Sequence, residues 1–598
     1  MAILHKGAYP GANRADPSGD GKRPLSTCGR PPSVSVRIDR KRRELEAEHG
    51  LPRHSFKHFR RPIEHPFTAS QRQHTTILLG GLSPCHDKLV EASVQSLGYN
   101  CKALPNVTID SYTVGRQFTD HGLCNPTYFT VGNLVNYLQD LESKGMSRQE
   151  IVDSHVFLTA GSCGTCRFGM YEAAYRLALG NAGFHGFRVL TFGTNEGLDQ
   201  STGEAAGLDM NLDFFLGLIT ALGLGDVLNQ FKYRMRAYEI VPGSVDEGMD
   251  RVVSDFHRIL KDRERYELAD HWTRIFLRTP LEAPIRYVAK ILHLARSDEI
   301  TDGMKAARLA LDEIELDPFR VRPIVKLTGE FWAQTTQGPG NFDIHRFLER
   351  EGAEVYVDRM LFTRLTWELH QVKSRARDRL GLRGGDSRIR HYGDYYRKVG
   401  LLTLAERILR RESERLLAAL GGSLHPMVPQ AELERIARPY WNWRTTSGES
   451  HLEIAENIYY HTHDLCHMVL SVKPFGCMPS TQSDGVQTWV VEDYPGMIFL
   501  PIETAGDGEV MAHSRVQMAL GPARAKARRE MDDVLSDIRW TLNDLKAYAD
   551  DHPHIKRASY SVPHHPGIVS RAANFAYHVS ELLDARPASS STAARRAS

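Results

Sequence analysis

Cysteine is scarce in this chain. Eight residues in 598 are too few to staple a disulfide scaffold. A dominant charge is also lacking: 75 lysines and arginines face 73 aspartates and glutamates, a net +2 at pH 7, so global charge argues for no nucleic-acid partner. No apolar run reaches the roughly 18 residues of a membrane span. The longest candidate, Phe214 to Leu224, follows Asp213 in a helical pattern. The opening MAILHKGAYPGANRADPSGDGKRPL is broken by Gly, Pro and Arg and has no apolar stretch with a cleavage site,. The expectation is a soluble, cytoplasmic protein with no membrane partner. In a reducing compartment, clustered cysteines more often bind metal or do redox work than form bridges. No G-x-x-x-x-G-K-[ST] occurs, and LLGGLSP lacks the G-x-G-x-x-G spacing, so ATP hydrolysis by this chain alone is not expected.

What is present is globular. A hydrophobic share of 41% and a charged share of 25% exclude a wholly disordered or fibrous chain. The length exceeds what one core sustains, so at least two domains are expected. Residues 1–72 are rich in Pro, Gly, Ser, Arg and His, with a basic knot at Arg40 to Arg43, and read as a disordered basic tail. From TTILLGG a strand, helix, strand cycle sets in and recurs through SHVFLTAGSC, YEAAYRLALGNAG and FRVLTF. Such alternation predicts an α/β lobe over 73–225 with a parallel sheet. A helical connector follows over 226–320. The cycle restarts with RPIVKLTGEF and EVYVD, then MVLSVKPFGC and GMIFLPIE, which predicts a second α/β lobe over 321–551, carrying a helical insert at about 359–438. A long charged helix, 514–551, closes this lobe, and 552–598 reads as a C-terminal tail. The fold class is therefore two Rossmann-like, doubly wound parallel-sheet lobes, with a cleft between them where ligands of open α/β sheets sit.

The chemistry concentrates in three loops. SCGTCRFGMYE puts Cys163 and Cys166 in a C-x-x-C where an apolar strand turns into a helix, a setting that favours thiolates. A metal or iron-sulfur site, a thioredoxin-like dithiol and plain packing all remain open for one such motif. Cys124, in GLCNPTYFTVG, and Cys477, in VKPFGCMPSTQSDG, occupy similar Gly and Pro loops next to helices. A dithiol leaves Cys124 and Cys477 unexplained, whereas a 4Fe-4S cluster takes three or four thiolates from distant parts of a chain. Zinc is the alternative metal. Cys466 lies in YYHTHDLCHM, where helical spacing would align it with His463 and His467; it is the reserve ligand, with helix packing as the plainer reading. Cys85 has a strand-end position without a second cysteine near it, Cys101 reads as a strand residue, and Cys28 falls in the tail. The loop TGEFWAQTTQGPGN offers Glu330, Trp332, Thr335 and Thr336 as pocket lining, and Arg515 reads as surface charge or an anion contact,.

The segments GLCNPTYFTVGNLV, TAGSCGTCRFGMYEAAYR and VKPFGCMPS resemble the large, non-ATPase region of the CoA-substrate-specific enzyme activases, related to 2-hydroxyglutaryl-CoA dehydratase and benzoyl-CoA reductase subunits. The resemblance runs from about Thr75 to Asp551; the usual proline between the paired cysteines is Thr165 here. It implies a cysteine-bound iron-sulfur centre between the lobes, with Cys124, Cys163, Cys166 and Cys477 at the family's cysteine positions and Cys466 matching less firmly. It implies as partner a separate ATPase activase of the actin and sugar-kinase type, an acyl-CoA thioester as possible substrate, and a possible homo- or heterodimer. A metal-stabilised scaffold or regulatory partner, and a C-x-x-C thiol oxidoreductase, are the alternatives.

Overall fold

The computed structural model describes residues 34–50, 64–161, 164–192, 205–263, 290, 298–380, 388–445 and 448–585. The chain divides into Met1–Ile63 and Glu64–Ser598. In the first unit the described element is a helix, Val34–Glu48. Its described side chains are almost all exposed, and Lys41 pairs with Glu44 one turn on, at 3.3 Å. The expected tail therefore includes a solvated, charged helix; residues 1–33, 51–63 and 586–598 of the expected tails lie outside the described residues.

The second unit holds two four-stranded parallel sheets. The first is built from β1 (Thr76–Leu79), β2 (Asn100–Ala103), β3 (His155–Ala160) and β4 (Arg188–Phe192). The second is built from β5 (Ile324–Gly329), β6 (Glu354–Val357), β7 (Met468–Pro474) and β8 (Phe499–Thr504). The orders are β2-β1-β3-β4 and β6-β5-β7-β8, the same arrangement twice. In both sheets the order reverses beside the first strand, between β1 and β3 and between β5 and β7. Crossovers there leave in opposite directions and open a crevice at the carboxyl ends of the strands. Two Rossmann-like lobes are what the strand pattern predicted.

Burial on both faces explains why these strands read as apolar runs. Ile77 and Leu79 belong to the core on one face of the first sheet, while Leu78 points to the other, among Val131, Leu134 and Phe157. In the second sheet every residue of β5 and β7 is buried. Val325, Leu327 and Val472 meet Val516 and Leu520 of the long helix Glu509–Asp537.

Several boundaries differ from the sequence reading. The helix Leu212–Arg236 runs straight through the expected division at 225. It is also long and apolar enough to cross a membrane, with 56% of its most apolar window buried inside the protein. Its small residues let neighbours close in: a Cβ on Gly223 would lie 2.4 Å from the Phe362 ring, and one on Gly225 2.2 Å from the ring of His86. The expected tail before residue 72 is partly core. Phe67 is 1% exposed, and Thr68 bridges to Ala206. The stretch 552–585 is likewise folded: a helix, Arg571–Asp584, buries Phe575, Ala576 and Val579 against Met531 and Val534. Its apolar residues at helical spacing were visible, but a short helix is stable only with a partner face, which only the packing supplies. The charged helix expected over 514–551 is two helices, Glu509–Asp537 and Leu542–Asp551. Thr541 starts the second with a capping box to Asp544,.

Candidate functional site

The cleft between the lobes gathers the carboxyl ends of β3, β5, β7 and β8. After β3, Cys166 caps a short 3-10 helix, Arg167–Met170, and its sulfur accepts from Phe168 N at 3.5 Å. After β7, Gly476 takes φ +79° and Cys477 caps the helix Met478–Asp493. Cys124 caps the helix Asn125–Ser143. Cys124, Cys166 and Cys477 therefore each stand at a helix N-terminus, where the backbone N–H groups favour negative charge on sulfur.

Cross-lobe contacts bring the three loops together. Asn125, next to Cys124, donates from Nδ2 to Thr504 Oγ1 at the end of β8, at 3.3 Å, and to Gly340 O at 3.4 Å. Arg167, next to Cys166, donates to Gly122 O in the loop of Cys124. The same guanidinium lies against Gly476: a Cβ there would be 3.5 Å from Arg167 Nη1. Phe129 and Trp332 pack at a tilt across the lobes with ring centres 5.7 Å apart.

Glu330 stands among the thiols. It follows β5 as the cap of helix Phe331–Thr335, with Oε2 accepting from Ala333 N at 2.9 Å. When ionised, it raises Cys124, Cys166 and Cys477 alike. Burial, and then the charge of Glu449, push the Glu330 carboxyl up to about 8, so it holds its proton at neutral pH. Burial likewise pushes Cys166 up to about 12 and raises Cys124 and Cys477. Without a bound cation these thiols stay protonated; a metal is what would draw their protons off.

The immediate surroundings are polar. Cys124 Sγ lies 3.1 Å from Tyr171 OH and 3.3 Å from Thr127 Oγ1. Cys477 Sγ donates to Ser480 Oγ at 3.3 Å, and Ser480 donates in turn to Glu453 at 2.6 Å. Glu453 and Glu449 are both buried on or beside the helix Ser450–Thr462, and burial raises the carboxyl of each. The sequence reading missed this pair. Their signal was acidic residues four apart at the start of an apolar stretch, ESHLEIAENIYY, which fits a buried polar face as well as an exposed one.

The other candidates stand elsewhere. Cys163 lies outside the described residues. Cys466 is not brought to the other thiols: it precedes β7 at the amino end of the strand, buried with Ile324, Tyr356 and Val569, and Cys477 follows the opposite end. Seven strand residues separate those ends by about 20 Å. The helix expected to align Cys466 with His463 and His467 ends at Thr462, and Asp464 takes φ +52°. His467 instead faces Glu530, at 3.2 Å. Cys85 and Cys101 pack into the core of the first lobe. Trp332 and Thr336 are buried, and Thr335 lines a small chamber with Gln334 and Asp358. Arg515 is exposed and borders a cavity of about 310 Å³ with Lys473, Asp484 and Glu503.

The donor chemistry, three thiols at the shared crevice of two lobes, suits a thiophilic group. Among the described residues no three His, Cys, Asp or Glu side chains are close enough to hold a single metal ion. Zinc–thiolate bonds of about 2.3 Å require sulfurs about 3.8 Å apart. A cubane, whose irons each take one thiolate, accepts wider spacing. A scan against protein-family models finds no match for the chain, and a search of curated proteins finds none either.

Proposed function

We propose that this chain is an iron-sulfur protein of the 2-hydroxyacyl-CoA dehydratase and activase-associated type. In this reading it accepts low-potential electrons from a separate ATP-dependent activase and acts on an acyl-CoA thioester. The observation that carries it is the convergence of the Cys124, Cys166 and Cys477 loops around Glu330, at the crevice of two lobes with the same strand order. Cys124, Cys166 and Cys477 would hold the cluster, with Cys163 as the candidate fourth ligand.

A bound cluster supplies single electrons at low potential, tuned by hydrogen bonds to its sulfurs and by burial. The protein's own groups do the rest. Phe168 N holds the sulfur of Cys166, and the helix N-termini after Cys124 and Cys477 favour the charged form of those thiols,. Tyr171 brings its hydroxyl to the sulfur of Cys124, and Ser480 Oγ lies 3.3 Å from the sulfur of Cys477. Glu330 keeps a proton inside the cleft at neutral pH, where it can protonate a leaving hydroxyl or a reduced carbonyl oxygen.

The test is anaerobic purification with iron and acid-labile sulfide assayed per chain, and absorption spectra before and after dithionite. The expected result is near-stoichiometric cluster, lost in Cys166→Ser and Cys477→Ser and kept in Cys466→Ser. A wild-type protein free of iron, reconstituted or not, overturns the reading.

A further inference from the structure

The helical insert leaves one helix face uncovered. In it the helix Arg388–Ala419 runs back along the helix Met360–Asp378, joined by the Arg359–Ser413 hydrogen bond and the Lys373–Glu406 pair. That register carries the turns before about residue 400 past the end of the neighbouring helix. From Tyr392 to Gly400 no side chain is buried. So short a helical projection is not self-supporting in water, and Gly393 and Gly400 weaken it further. The fold has no use for glycine there, since a Cβ on either would meet nothing within 4 Å.

The uncovered face has a register of its own. Arg397, Leu401, Leu404, Ile408 and Arg411 recur at spacings of four and three, the a and d seam of a coiled coil. Leu401 is 58% exposed and Leu404 53%, while Leu409, Leu416 and Leu417 hold the opposite side of the helix in the core. The e and g positions that flank this seam are Lys398, Gly400, Ala405 and Arg407. Lys398 and Arg407 are exposed. Among the described residues neither has a carboxylate partner, because Glu406 is taken by Lys373 and Asp394 by Arg397.

Charge and shape select the occupant. Residues 397–411 hold five cations and one carboxylate, so a second copy of this face would repel it. A phosphate backbone offers nothing to Leu401, Leu404 and Ile408. A membrane-surface helix needs a broad apolar face, and an a and d seam is narrow. A helix with apolar a and d residues and glutamates at e and g satisfies the leucines and the cations together.

We propose that the face of Arg388–Ala419 centred on Leu401 and Leu404 docks an acidic amphipathic helix of a partner protein, with the partner's carboxylates against Lys398 and Arg407. The test titrates the full chain into a labelled synthetic peptide of about three heptads, leucine at a and d and glutamate at e and g, and follows fluorescence anisotropy. A matched peptide with lysine at e and g is the control. The glutamate peptide binds about tenfold more tightly than the control, and added salt weakens it. Leu401→Asp with Leu404→Asp weakens it about tenfold, and Lys398→Glu with Arg407→Glu reverses the preference between the peptides. All four side chains are exposed, and an unchanged unfolding temperature checks that each variant is folded. Equal binding of the two peptides, binding untouched by both double variants, or tighter binding to duplex DNA or to phosphatidylserine vesicles overturns the proposal. Iron content enters none of these readings, so the docking face and the cluster stand or fall separately.

Discussion

Arg167 and Gly476 meet across the cleft. The guanidinium that follows Cys166 lies where a Cβ on Gly476 would come within 3.5 Å of it, and Gly476 holds φ +79° to turn the chain into Cys477. Gly476→Ala therefore meets backbone strain before it meets Arg167. A left-handed alanine costs about 1–2 kcal/mol, to be read as a fall in denaturant midpoint, and thiol-dependent metal loading should fall with it. A variant as stable as the wild type would mean that the loop relaxes freely.

Glu330 gives a pH signature with a definite sign. Its folded pKa of about 8 stands above the ordinary 4.5, so between those values the unfolded chain has released a proton that the folded chain keeps. Stability from this group is complete below about pH 4.5 and declines as pH rises towards 8. Glu330→Gln should match the wild type near pH 4 and be the more stable protein near pH 8. Urea unfolding at both ends of the range checks it; parallel curves would place the carboxyl in contact with water.

Lys326 is fully buried between Asp358 and Glu456. Lys326→Met leaves two carboxylates facing each other without the cation between them, a loss of about 3–5 kcal/mol at neutral pH. Burial already holds Glu456 up to about 7, so acid should restore much of the loss by protonating the pair. The measurement is the stability difference from wild type at pH 8 and at pH 5. A constant difference would assign the loss to packing alone.

Phe575 tests the C-terminal helix. It is wholly buried and stacks edge-on against Phe319 with ring centres 4.9 Å apart. Phe575→Ala should cost about 3–5 kcal/mol, and ending the chain before Arg571 should destabilise the second lobe. Unchanged unfolding of the shortened chain would make the helix an ornament.

Much of the architecture was legible because its signal is local. TILL, HVFLTA, IVKLTG and MVLSVKP are short apolar runs of the kind that central parallel strands require, and the helices between them carry apolar residues three and four apart. The helix Ile109–Phe118 escaped notice. It is half exposed and owes its start to Thr108 and Ser111, a capping box of weak sequence signature,. Cys124, Cys166 and Cys477 were legible as a set because each sits in a Gly or Pro turn at a helix start. Cys466 was drawn in by helical spacing that the backbone abandons at His463.

The sequence alone determined which residues enter strands and that the chain repeats its strand and helix cycle. It also determined that the thiols stand at turns, since periodicity and turn chemistry act over a few residues. Only the tertiary structure decided that both sheets take the same order, that Glu330 shares a crevice with three thiols, and that Leu401 and Leu404 stay uncovered. Those facts depend on contacts between residues as distant as Asn125 and Thr504, and no local pattern encodes which distant surfaces will exclude water together.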